Sequence, residues 1–376
     1  MSRNTWIWIG VAALAVIVIG IVIASSGGDD ETTTTTAAAG ETTTTAAEET
    51  TTTAEGETTT TAEGGETTTT TTEAPAEAMR IAVVAPSASN DLAFTQSIVD
   101  AVDVIAAEFG IPGENIAITD GTFVVEDAAA AIRDYANQGF DLVIAHGSQY
   151  GGSLSEIAPD FPETAFAWGT AADTFGAPNV FAYEAASDEG GYVMGKMAAA
   201  LTTSSTVGIV GPVEVGDAKL YVDGFKNGAE ADGSGVTVNI NYTGSFSDVQ
   251  LASEAASAHI AAGADVLTGT AQMVVGSISV ADEAGVPWFG TQANQASLSS
   301  VVVASQVYKW EVVLRDILAQ MGGGALGGTT YVIDFENGGL VLEYNEGAAT
   351  PVPDDVRALA DQVIVDIISG AISPTG

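Results

Sequence analysis

RIAVVAPSASNDLAF, residues 80–94, is an apolar run that breaks into a short polar loop and then enters a helical pattern. Residues 81–85 have the length and composition of a buried strand. From Leu92 to Phe109 the chain carries Phe94, Ile98, Ala101, Val102 and Ile105 at helical spacing. Two later stretches repeat the plan. GSFSD at 244–248 and GTQANQ at 290–295 each close an apolar strand with a short polar or aromatic loop. In an open α/β sheet such strand ends converge on a crevice that holds ligand.

The alternation continues in both directions from these stretches. Strands are expected at 116–119, 142–145, 165–168 and 180–183, with helices at 125–137 and near 154–157. A second series opens with a helix striped by Val193, Met194, Met197, Ala198 and Leu201. It continues through strands at 207–210, 236–242, 266–267, 288–289 and 301–305, with helices at 217–229, 249–262, 274–284 and 307–321. Residues 330–335 and 339–344 read as a hairpin about Asn337 and Gly338, and 354–368 as the last helix. Two βα series imply an α/β protein of two doubly wound, parallel-sheet lobes. Residues 79–376 are also more than one core usually supports. The expected division is 79–184 with 292–325 for the first lobe and 185–291 with 326–376 for the second. A hinge crossed more than once is placed near 183–186, 290–292 and 306–307, which permits clamshell closure.

The 376 residues include 49 acids against nine Lys and Arg, a formal net charge of −40. Twelve of the acids and Arg3 precede Met79, leaving 37 acids and eight scattered bases in the remainder. No basic stripe exists for nucleic acid. Solubility through self-repulsion and a high-salt habitat both fit the acidity. With no cysteine, disulfides, thiolate metal sites, cysteine nucleophiles and a lipid-bearing N-terminal cysteine are excluded.

Residues 6–24, WIWIGVAALAVIVIGIVIA, carry no charge and are long enough to cross a bilayer. Arg3 precedes them and Asp29, Asp30 and Glu31 follow, so the positive-inside rule leaves the rest of the chain outside the cytoplasm. A single-pass cell-membrane anchor is expected for 1–24. The competing reading is a signal peptide cleaved after Val22-Ile23-Ala24. Residues 25–78 repeat ETTTTAAE, ETTTTAEG and ETTTTAEGG, with almost nothing apolar larger than alanine. Such a segment cannot build a core. It reads as a disordered tether, with a composition that also suits an O-glycosylated stalk.

Enzyme signatures are missing. The sequence has two histidines, His146 at a strand end and His259 in an alanine-rich helix, read as a structural surface residue. No HExxH, Walker A loop or GxGxxG follows a strand. GGYVMG at 190–195 has the wrong spacing for a phosphate loop, and its glycines are better suited to close helix packing. No catalytic residue, metal ligand or cofactor is expected.

Several segments in order carry a family resemblance. They are NDLAFTQS at 90–97, Gly147 to Tyr150 with residues 162–167, Glu189, Tyr192 and Gly195, then Gly224, Phe225 and Gly228. NYTGSFSD at 241–248, residues 290–295 and residues 305–309 complete the set. Together they resemble the basic membrane protein (Bmp) family of ABC-importer substrate-binding proteins, which includes purine nucleoside receptors. The resemblance spans about 80–368. It implies a type I periplasmic-binding-protein fold, a purine-related small-molecule ligand, and an ABC permease with its ATPase as partners. It also implies stacking of a planar ligand between Phe94 and Phe246, with Asn90 and Asp91 at the helix start and Lys309 on the ligand's polar side. Ser87, Thr170 and Gln292 stand where nucleoside-binding members are expected to carry acids, and Asn294 replaces a common aspartate. Amides both donate and accept, so Gln149, Gln272, Gln292 and Asn294 suit a purine edge, beside Trp168 and Trp310. The neutral positions favour a nucleobase over a ribose-bearing ligand. Two other functions share this pocket: a ligand-sensing ectodomain acting through a membrane partner, and a nucleoside-cleaving cleft enzyme.

Overall fold

The computed structural model describes residues 79–375. The expected anchor and tether lie outside these residues. The first lobe opens with β1 (Ile81–Val84), α1 (Phe94–Phe109), β2 (Ile116–Thr119), α2 (Val125–Asn137), β3 (Leu142–His146), α3 (Gly151–Ile157), β4 (Ala165–Gly169) and β5 (Val180–Ala185). The second continues with α4 (Ser187–Leu201), β6 (Thr206–Gly211), α5 (Gly216–Glu230), β7 (Thr237–Tyr242), α6 (Val249–Ala261), β8 (Val266–Gly269), α7 (Val274–Ala284), β9 (Trp288–Gln292) and β10 (Val302–Tyr308). The chain closes with α8 (Glu311–Gly322), β11 (Thr330–Ile333), β12 (Leu340–Tyr344) and α9 (Asp354–Ile368).

Two six-stranded sheets result, ordered β2-β1-β3-β4-β5-β11 and β7-β6-β8-β9-β10-β12. All neighbours are parallel except β12, which runs antiparallel to β10. The apolar run at β1 is explained by burial on both faces. Ile81 and Val83 enter one core with α1 and α8, and Ala82 and Val84 enter another with α2 and α3. The second sheet is flanked likewise, by α4, α5 and α9 on one side and α6 and α7 on the other.

Helix α1 begins at Phe94, two residues after the expected start. Leu92 has φ 52°, outside helical space. The Asp91 carboxylate gathers the loop instead, accepting from the amides of Ala93 (2.9 Å), Gln96 (3.1 Å) and Thr95 (3.2 Å) and from the Ser87 hydroxyl (2.6 Å).

Two of the glycines of 190–195, Gly191 and Gly195, do serve helix packing. A Cβ on Gly195 would stand 2.1 Å from the Phe225 carbonyl oxygen, and one on Gly228 2.1 Å from that of Tyr192. Helices α4 and α5 therefore meet backbone to backbone.

The expected hairpin is corrected. Asn337 does cap a turn, accepting from the amides of Asp334 and Gly339. The flanking strands part company, however, with β11 extending the first sheet beside β5 and β12 the second beside β10. Each sheet has an open edge there, and pairing it satisfies a full row of backbone groups. Two lobe boundaries move in consequence. Strand β10, expected in the first lobe, bonds to β9 in the second sheet, and β11, expected in the second lobe, belongs to the first.

Among the described residues the chain passes between lobes three times, at 185–187, 308–311 and 333–340. The expected crossing at 290–292 is part of β9 and crosses nothing. The crossings are tied together by Ala186 N to Ile333 O (2.9 Å) and Lys309 N to Gly339 O (2.8 Å). Glu189, at the start of α4, accepts from Phe335 N at 3.0 Å.

Candidate ligand-binding cleft

Matching strand orders give the two lobes matching loops, and these loops face one cavity in pairs. The loops after β1 and β6 bring Phe94 and Asp217, and those after β2 and β7 bring Phe123 and Phe246. The loops after β3 and β8 bring Gln149 and Gln272, while the ends of β4 and β9 bring Thr170 and Gln292. The space between them, counting the solvent at its open mouth, is about 420 Å³. Pro86, Ser148, Val215, Ala218 and Ala271 complete its wall.

Five of the ten expected site residues line this cavity: Phe94, Gln149, Phe246, Gln272 and Gln292. The other five do not. Asn90 is exposed and Asp91 holds its own loop. Trp168 donates its indole N–H to Gly147 O at 3.0 Å and stacks on Phe175 at 4.8 Å. Lys309 and Asn294 both turn to Glu343, at 3.0 and 2.7 Å, and line a second recess with Gln96 and Asp100, next to the first through Gln292. Ser87 is bonded to Asp91 and Thr95, and Trp310 lies in the first lobe's core, donating to Ser97 Oγ at 2.9 Å.

Phe94 is held by aromatic backing. Its ring stacks on His146 at 4.1 Å, and His146 stacks on Tyr183 at 5.9 Å. His146 is fully buried. Its Nε2 lies 3.3 Å from the Phe94 carbonyl oxygen, which can only accept, so Nε2 carries the proton and Nδ1 accepts from the Tyr183 hydroxyl at 2.8 Å. Desolvation drives its pKa down to about 3, so the ring is a neutral plate in the stack rather than an acid or base. His259, expected at the surface, is also buried and bonds Ile209 O at 3.0 Å.

Gln292 is 2% exposed, sits at φ 75°, and its Oε1 has no hydrogen-bond partner among the described residues. A buried acceptor left open at a strained backbone position fits a site awaiting a donor.

Asp217 was not expected in the site. It occupies the first turn of α5, 6% exposed, and accepts from the Tyr308 hydroxyl at 3.3 Å. Burial raises its pKa to about 6, against lowering hydrogen bonds from the Tyr308 hydroxyl and the backbone. The sequence held a usable signal: the loop after β6 is the counterpart of the loop after β1, so its residues belong to the same crevice.

The family described as ABC transporter substrate-binding protein, PnrA-like (Bmp), matches residues 78–369. A purine-binding protein of Brucella abortus is 26% identical over 254 residues, covering 66% of this chain and 69% of that protein. An ABC transporter nucleoside-binding protein of Lactococcus lactis is 26% identical over 258 residues, covering 63% and 71%. Among solved structures, an ABC transporter solute-binding protein from Conexibacter woesei has 27% identity and a TM-score of 0.66. That match covers 79% of this chain and 98% of the other.

Proposed function

The chain belongs to the Bmp family of PnrA-like ABC-transporter substrate-binding proteins, and on that premise we propose that it captures a flat, purine-related solute, nucleoside or nucleobase, outside the cytoplasm. It then presents the solute to an ABC permease and its ATPase. Residues 6–24 are the membrane anchor in this reading, and the repeats of 25–78 give the binding domain its reach.

The observation that carries the reading is that Phe94 and Phe246, from opposite lobes, line one cavity with Gln149, Gln272 and Gln292. Opposed aromatic faces suit a planar heterocycle. Amides that donate and accept suit its edge. The named relatives, a purine-binding and a nucleoside-binding protein, support the same class. A ligand between the lobes favours the closed form, because only that form offers both halves of the site. The test is calorimetry of the purified full-length chain with adenosine, guanosine, inosine and their bases. Saturable binding of at least one is expected, and absence of heat with all six would overturn the reading.

A further inference from the structure

We infer that Asp217 is the specificity-determining residue of the cleft, selecting planar ligands that are uncharged or cationic and that direct an N–H or O–H donor at its carboxylate. The inference rests on the proposed function and names the ligand class within it.

Asp217 is the only ionisable side chain among the described residues that line the cavity. It has no Lys or Arg partner among the described ion pairs. An acid buried without a cation is costly. Here the fold provides only hydroxyl and backbone donors, which leaves part of a carboxylate's four-site acceptor capacity open. Thr170, from the other lobe, lines the same cavity. A ligand entering between the lobes meets the carboxylate in the cavity that Thr170 also lines, so a ligand donor fits there. The adjacent wall is apolar, with Val215 and Ala218 beside the acid. That environment strengthens a charge-assisted hydrogen bond. It also penalises an anion twice, through repulsion from Asp217 and through the lack of any basic side chain in the lining. Phosphorylated nucleosides are therefore excluded by charge.

The donor has two possible sources, the base and the sugar. Matched adenosine, 2′-deoxyadenosine, adenine and AMP separate them. Calorimetry of the full-length chain at neutral pH should show AMP weaker than adenosine by about a hundredfold or more, in line with the loss of a charge-assisted contact and the added repulsion. Asp217→Asn should weaken adenosine by about tenfold or more and narrow its advantage over AMP. An equal loss for adenosine and adenine assigns the donor to the base, while a loss confined to adenosine assigns it to the sugar. Asp217→Ser is the second neutral variant, and a thermal midpoint no lower than wild type at neutral pH certifies the fold of either. Wild-type binding of adenosine with Asp217→Asn and Asp217→Ser both within about twofold would overturn this inference alone. AMP binding as tight as adenosine would do the same. If the wild type bound none of the four probes, nor the wider purine panel, the proposed function would fall and this inference with it.

Discussion

Phe246 and Phe94 enter the cavity from different lobes, but only Phe94 is backed by other rings, His146 and Tyr183. Phe246 stands on its loop, fixed by the bond from Met273 N to its carbonyl oxygen at 3.1 Å. Phe246→Ala should therefore remove a stacking face and leave the core intact. The expected loss is about 1–3 kcal/mol, by analogy with base–aromatic stacking, read by calorimetry with the bound purine. Phe123→Ala should cost less, because that ring is 37% exposed at the rim. The buried titratable pair His146 and Asp217 makes a second prediction. His146 has its pKa lowered from 6.5 to about 3, so acidification below 6.5 protonates only the unfolded state and destabilises the fold. Asp217 is raised from 3.8 to about 6, so the same acidification protonates the native acid first and stabilises the fold. The two effects oppose each other between about pH 6 and pH 4, each near 1.4 kcal/mol per unit. Asp217→Asn removes the compensation and should lose about 2 kcal/mol more than wild type across that interval. Urea denaturation of both proteins at the two pH values measures it. A difference between them that does not change with pH would refute the assignment.

Helices α4 and α5 show what a local reading captures. The motif glycines at 191, 195, 224 and 228 each leave no room for a Cβ against the partner's backbone. Gly228→Ala gains up to about 1 kcal/mol of helix propensity but must push Tyr192 O away. Overpacking of this kind costs about 1–3 kcal/mol or more, so a net loss in denaturant midpoint is expected. Gly152→Ala in α3 meets nothing within 4 Å and should be neutral or stabilising; equal destabilisation by both variants would sink the packing argument. The spacing of these glycines, the strand-end loops and the βα order were all legible in the sequence, because each is a short-range pattern. The destinations of β11 and β12 were not, since edge pairing joins Tyr331 to Tyr183 and Leu342 to Gln306. That pairing also explains the misplacement of Lys309 and Asn294. Both are claimed by Glu343, whose position on β12 depends on a long-range partner. Asp217 was missed for the complementary reason: its loop lacks an aromatic or amide signal, and only the equivalence of β6 with β1 brings it to the cleft.

At the scale of the molecule, a direct bond across the cleft runs from Gln295 Nε2 to Leu92 O at 3.4 Å. Among the described residues three chain crossings join the lobes. A ligand filling the cavity stabilises the fold by mass action, by about 2.7 kcal/mol at one hundred times its Kd. None of this requires residues before Met79. Every lining residue falls between Pro86 and Gln292, and the Thr, Glu and Ala repeats of 25–78 hold almost nothing apolar larger than alanine. Their charge is negative, as is that of the binding domain. A chain beginning at Ala78 should accordingly bind the same purine as the full-length protein, with equal affinity and an equal ligand-induced rise in thermal midpoint. Side-by-side calorimetry and thermal unfolding at matched ligand concentration provide the comparison. An affinity more than about fivefold weaker, roughly 1 kcal/mol, would show that the N-terminal segment contributes to the site.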